Sequence, residues 1–202
     1  MDRREFFRRG LGRVAEEAVQ HVDKKVVERA SRWIRPPFAI PELEFLLACT
    51  RCDACIKACP HDIVFPLAAS NGADVMNTPA LDLLNKGCRL CEDWPCVTAC
   101  ETQALKLPAA EDETDSDTDP ADKLDLTHQP RLAKLTIDTE NCLPYKGPEC
   151  GACASACIIE GALEWKMERP SINQQKCTGC AMCREVCITE PKSVLIMKSA
   201  QV

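Results

Sequence analysis

The chain has 202 residues, of which 4% are aromatic and 16 are cysteines, and a formal net charge of −6. That leaves room for one or two small domains, with too few large apolar side chains for burial alone to hold either of them. The negative charge excludes a general affinity for nucleic acid, and no apolar stretch approaches the roughly 18–20 residues that a membrane-spanning helix needs.

The first segment begins Met1-Asp-Arg3-Arg4-Glu-Phe6-Phe7-Arg8-Arg9, the form of a twin-arginine box. An export signal also requires about 7–15 apolar residues behind its positive region, whereas here Val-Ala-Glu-Glu-Ala-Val-Gln-His-Val-Asp-Lys-Lys follows. The expectation is therefore a cytoplasmic protein. Leu11, Val14, Ala18, Val22 and Val26 recur at steps of three and four, which predicts an amphipathic helix within residues 1–37, closed by Pro36-Pro37. Its apolar stripe is expected to pack on the protein's own core or to dock on a partner. Peripheral membrane contact through residues 1–33 is the further role that its Arg-rich first turn suggests.

Residues 38–108 carry the run Cys49-Thr-Arg-Cys52-Asp-Ala-Cys55-Ile-Lys-Ala-Cys59-Pro60 and a second quartet, Cys88, Cys91, Cys96 and Cys100. The apolar pieces at 63–65 and 104–107 predict short strands, and the stretch around Ser70-Asn71-Gly72-Ala73 predicts a loop between them. Residues 109–130 contain Glu-Asp-Glu-Thr-Asp-Ser-Asp-Thr-Asp-Pro, a run of like charge without apolar partners that predicts a disordered acidic linker. Residues 131–202 repeat the layout. Strands expected at 135–138 and 170–173 lead into the third quartet (Cys142, Cys150, Cys153, Cys157) and the fourth (Cys177, Cys180, Cys183, Cys187), and strands at 161–165 and 193–197 follow them. The fold class this predicts is α+β: two bacterial two-cluster ferredoxin-like modules in tandem, with an N-terminal amphipathic helix.

The four quartets use every cysteine in the chain, which leaves no thiol for a disulfide framework or a lone nucleophile. Soft thiolates suit zinc and iron–sulfur clusters alike, but structural zinc sites bring two Cys-x2-Cys knuckles together across a longer gap. Three cysteines within seven residues and a fourth just beyond, followed by proline, match the bacterial run whose fourth cysteine ligates the neighbouring cluster. That rule groups Cys49, Cys52, Cys55 and Cys100 around a first [4Fe-4S] cluster, and Cys88, Cys91, Cys96 and Cys59 around a second. It groups Cys142, Cys150, Cys153 and Cys187 around a third, and Cys177, Cys180, Cys183 and Cys157 around a fourth. An interleaved pairing, first quartet with fourth and second with third, is the alternative. The acidic segment between the second and third quartets favours the sequential one.

Thiolates must stay reduced to bind iron, which agrees with the cytoplasm, and an apo chain with so little apolar content is expected to be largely unfolded. The wider gaps between Cys91 and Cys96 and between Cys142 and Cys150 predict two clusters whose potentials differ from their partners'. His21, His61 and His128 are scattered, Trp94 and Trp165 read as core or cluster-shielding residues, and no phosphate loop or nucleophile–base pattern is present. The expected role is electron carriage rather than catalysis.

Trp33-Ile34-Arg35-Pro36-Pro37, the Cys49 run, Cys142-Leu-Pro-Tyr145 with its seven-residue gap to Cys150, and Cys177-Thr-Gly-Cys180 together resemble the NapF-type ferredoxins, accessory proteins of the periplasmic nitrate reductase system. The resemblance implies a cytoplasmic polyferredoxin with four [4Fe-4S] clusters. It also implies that the protein binds the catalytic molybdenum subunit before export and serves its maturation or its electron supply. Glu101, Ile158 and Ile188 depart from the proline that often follows the fourth cysteine. The alternative function is an electron-wire subunit of a membrane or cytosolic oxidoreductase complex.

Overall fold

A computed structural model describes residues 33–108 and 129–197. Residues 1–32 of the expected N-terminal helix and nearly all of the acidic segment lie outside the described residues, and residues 33–37 are not helical.

The described chain is α+β, built of short pieces. Helix α1 (Glu42–Ala48) follows Pro41, carries Glu42 and Glu44 in its first turn, and buries Glu42 and Phe45. Early carboxylates suit the positive end of a helix dipole. Four shorter helices follow: α2 (Ala54–Ala58), α3 (Pro95–Thr98), α4 (Leu143–Lys146) and α5 (Met182–Glu185). The strands make three antiparallel ribbons. β1 (Val64–Pro66) pairs with β2 (Pro79–Leu81), β3 (Lys134–Ile137) with β6 (Val194–Met197), and β4 (Leu163–Lys166) with β5 (Arg169–Ile172).

The two halves repeat one plan, in which the outermost segments pair around an inner hairpin. In the second half the outer pair is β3 with β6; in the first it shrinks to one bridge between Ala39 and Leu105. The strand expected at 104–107 is thus reduced to a single pairing. Strand β2 was not foreseen, because it begins at Pro79; proline is tolerated as the first residue of a strand but gives no strand signal.

The first half keeps two small clusters of its own, around Phe45 and around Trp33, but the largest cluster is shared. Ile34, Ile63, Leu81, Leu83 and Leu90 from the first half pack in one buried cluster with Leu132, Leu135, Ile159, Met182 and Val194 from the second. Within the second half, Gly179 lets two segments of this cluster meet. Its φ of +75° is left-handed, and a Cβ there would lie 1.9 Å from the carbonyl oxygen of Ala133, so only glycine fits.

Arg35 fastens the start of the described chain. Its side chain is 1% exposed and its Nη2 lies 2.5 Å from Glu42 Oε1. Nε donates to Glu42 Oε2 at 2.9 Å, and Nη1 donates to Thr78 Oγ1 and to the Pro79 carbonyl at 2.8 Å. The guanidinium sits 4.6 Å from the Phe45 ring centroid and 5.3 Å from that of Trp33. One side chain therefore ties residues 33–37 to α1 and to β2, with its charge matched by Glu42. Removing one partner of a buried pair strands the other charge. Arg35→Met is expected to destabilise the loaded protein by about 3–5 kcal/mol in denaturant titrations, and Arg35→Met with Glu42→Leu to recover most of that loss.

Candidate metal centres

Each quartet is a loop closed by a short helix or turn. The third cysteine lies at the start of the helical piece in three of them: Cys55 in α2, Cys96 in α3 and Cys183 in α5. The loops turn by left-handed residues in repeated places. The residue before the second cysteine has positive φ in Arg51 (58°), Leu90 (49°) and Gly179 (75°). The residue two before the third cysteine has it in Asp53 (60°), Trp94 (43°) and Ala181 (63°). Side chains seldom adopt this region, and such strain gathers where the surroundings impose it. Here it bends these three loops so that successive thiols face one recess. The extra residues between Cys91 and Cys96 leave Trp94 at the same place relative to the third cysteine as Asp53 and Ala181, so the insertion falls on the solvent side of the turn.

The thiols gather in four sets. Cys49, Cys52, Cys55 and Cys100 line a recess of about 340 Å³ beside Phe45 and Leu105. Cys59, Cys88, Cys91 and Cys96 line another of about 340 Å³ beside Ile63, Val64 and Trp94. A third, of about 370 Å³, is lined by Cys142, Cys150, Cys153 and Cys187 beside Trp165 and Val194. Cys177, Cys180 and Cys183 each lie within the electrostatic reach of Cys157. Every set takes three thiols from one quartet and one from its neighbour in sequence.

Six of the thiols are fully buried: Cys55, Cys88, Cys96, Cys142, Cys180 and Cys183. Burial pushes Cys55, Cys96 and Cys183 up to about 12, and Cys88 and Cys153 up to about 11; in Cys55, Cys96 and Cys183 neighbouring thiols push the same way. At neutral pH these groups hold their protons unless a cation in the recess replaces them.

The fourth cysteines receive further contacts. The Leu105 N–H donates to Cys100 Sγ at 3.4 Å, and Thr102 Oγ1 lies 3.8 Å from the same sulfur. Thr189 Oγ1 lies 3.2 Å from Cys187 Sγ. The Ser193 N–H donates to that hydroxyl at 2.9 Å, and Ser193 Oγ lies 2.7 Å from it. Sequence reasoning missed Thr102 and Thr189. The signal was present as Cys-x-Thr at the end of the second and fourth quartets. Lys192 also went unremarked: its Nζ donates to the carbonyls of Arg184, Glu185 and Cys187 and caps the end of α5.

Among the other candidates, Trp94 lines the second recess with its ring edge-on to Phe38, centroids 4.8 Å apart. His61 is exposed and borders the same recess; His21 and His128 lie outside the described residues. Trp165 lines the third recess, and its indole N–H is buried without a partner in the protein. A buried donor left unpaired is costly, and a sulfide or thiolate acceptor in that recess would satisfy it. Among the described residues, no three His, Cys, Asp or Glu side chains converge on a point close enough to hold one metal ion. Four thiols spaced around a recess fit a polynuclear iron–sulfur group better than a single zinc with bonds of about 2.3 Å.

A small α+β fold with a sulfur-lined core of this kind defines a ferredoxin-type electron-transfer protein. Comparison with known proteins agrees. The chain is 32% identical over 210 residues to the methylamine utilization ferredoxin-type protein MauM of Methylophilus methylotrophus, a match covering 97% of this chain and 86% of that one. It is 31% identical over 176 residues to the ferredoxin-type protein NapG of Escherichia coli (81% and 70% covered), and 31% identical over 163 residues to NapF of the same organism (79% and 82%). The chain belongs to this ferredoxin-type family. The likeness read from Trp33 to Pro37 and from the cysteines therefore holds for the family as a whole and does not single out NapF. No family model and no solved structure matches the chain.

A hydroxyl donating to a thiolate stabilises the more negative, reduced state of a bound cluster. Replacing it as Thr189→Val is expected to lower the potential of the third site by up to roughly 40 mV, the equivalent of one hydrogen bond of about 1 kcal/mol for a one-electron couple. A redox titration followed by electron paramagnetic resonance measures it, with the other three sites as internal controls.

Proposed function

We propose that this chain is a polyferredoxin in which the four thiol sets each hold one [4Fe-4S] cluster, arranged as two two-cluster modules that share a core. The observation that carries this reading is the convergence of sixteen thiols into four sulfur-lined sets, three of them around recesses of nearly equal size. When bound, the clusters supply one-electron redox capacity. The chain's own residues hold and shield them: Phe45, Trp94 and Trp165 exclude water from the recesses, and Thr102, Leu105 and Thr189 direct hydrogens at ligand sulfur.

The partner we propose is the catalytic molybdenum subunit of a periplasmic-type nitrate reductase, met in the cytoplasm before export, with the chain serving its electron supply or maturation. The similarity to NapG and NapF supports it. The similarity to MauM supports a second reading, an electron-carrying subunit of another oxidoreductase complex. The cytoplasmic assignment rests on the need to keep sixteen thiols reduced during loading.

The test is an anaerobic preparation assayed for metal and sulfide, followed by a pull-down against the unexported catalytic subunit, with the full chain and with residues 1–33 removed. About four irons and four acid-labile sulfides per thiol set are expected, with capture of the subunit by both forms. Zinc without sulfide would overturn the cluster reading; a loaded protein that captures nothing would turn the choice to the second partner.

A further inference from the structure

We propose that the four thiol sets stand in single file in the order first, second, fourth, third, so that a joint between Cys88 and Cys180 carries electrons from one half to the other and the first and third sets form the two ends. This rests on the reading that each set holds an iron–sulfur cluster.

Three contacts set the order. Within the first half, Cys55 of the first set and Cys96 of the second share a buried cluster with Phe45 and Leu105, on helices α2 and α3 that pack together. Within the second half, Cys183 of the fourth set sits on α5, which packs on the 3-10 turn Ala154–Ala156 directly after Cys153 of the third. Between the halves, the backbone N–H of Cys88 donates to the carbonyl oxygen of Cys180 at 2.7 Å, and both residues are buried. The second and fourth sets are thereby linked through one peptide hydrogen bond, ligand to ligand.

The joint is built to stay closed. Gly87 lies so near α5 that a Cβ would fall 2.6 Å from Met182 Cα and 2.7 Å from its nitrogen. Glu185 accepts from the Gly87 N–H at 2.9 Å and pairs with Arg89 at 3.0 Å. Arg184 Nε donates to the Leu84 carbonyl at 3.1 Å. Helix α5, which carries Cys183, is thus bolted to residues 84–89, which carry Cys88. At the ends of the file the surface opens: Cys52 is the one fully exposed thiol of the sixteen, and Cys150 borders an open recess rimmed by Met167, which is 90% exposed.

The electron balance is simple. A one-electron donor at one end is oxidised by one electron, each set is reduced and reoxidised in turn, and a one-electron acceptor at the other end is reduced. No bond or proton changes hands.

The experiment uses the loaded, full-length protein reduced stepwise with dithionite. Magnetic interaction between neighbouring reduced centres is read by electron paramagnetic resonance, and distances by pulsed dipolar measurements. The wild type is expected to show interaction within each half and between the second and fourth sites, with the first and third farthest apart. Gly87→Val, which forces a side chain into the Met182 backbone, is expected to abolish the interaction between the halves while those within each half persist. Glu185→Ala, a gentler loosening of the same joint, is expected to weaken it. Iron and sulfide assays separate the outcomes: a protein without iron–sulfur fails the proposed function, whereas a fully loaded variant whose halves stay coupled overturns the joint. If Gly87→Val does not load, the wild-type distances decide, and a first site nearer to the third or fourth than to the second overturns the order.

Discussion

The structure depends on one constraint: thiols from separated loops must face common recesses inside a protein with little else to bury. Sulfur here is core material. Cys88, Cys180 and Cys183 sit in the same buried cluster as Leu81, Leu135 and Val194, and Cys55 and Cys96 in that of Phe45. Packed this way the thiols resist ionisation, so folding and metal loading draw on the same groups. The aromatic residues that remain are placed where they matter most to that arrangement, with Phe45 against the first recess, Trp94 against the second and Trp165 against the third.

The paired halves show how a repeat becomes a unit. Each half pairs its first and last segments around an inner hairpin, yet the apolar residues that complete each half lie in one continuous cluster with those of the other. Burial of a small ribbon against a small ribbon gives too little apolar area for two independent cores. Fusing them adds area without adding residues, and the close contact of Gly87 with Met182 is a local consequence of that fusion.

Much of the site was legible because its signal is covalent spacing. Cysteine intervals survive in sequence whatever the strands between them do, so the four quartets could be read directly, and the short strands β1, β3, β4 and β6 stood out by their branched aliphatic and aromatic residues. What could not be read is what depends on distance in space. Arg35 looked like one residue of a signature; its burial against Glu42, Thr78 and Phe45 shows why Arg-Pro-Pro stands there. Thr102 and Thr189 drew no reading from the sequence, since a hydroxyl's approach to sulfur is a matter of backbone curvature. Strand β2 was hidden by Pro79, and the contact between Cys88 and Cys180 joins residues far apart in sequence that no periodicity connects.

The exchange of fourth thiols also sets a timetable for synthesis. The recess opened by Cys49, Cys52 and Cys55 lacks its last wall until Cys100 has been made. The one opened by Cys142, Cys150 and Cys153 waits for Cys187. A growing polypeptide that folds from its N-terminus therefore presents half-built thiol pockets until the partner quartet of each has been made. Until then its sulfurs depend on the reducing power of their surroundings rather than on the protein itself.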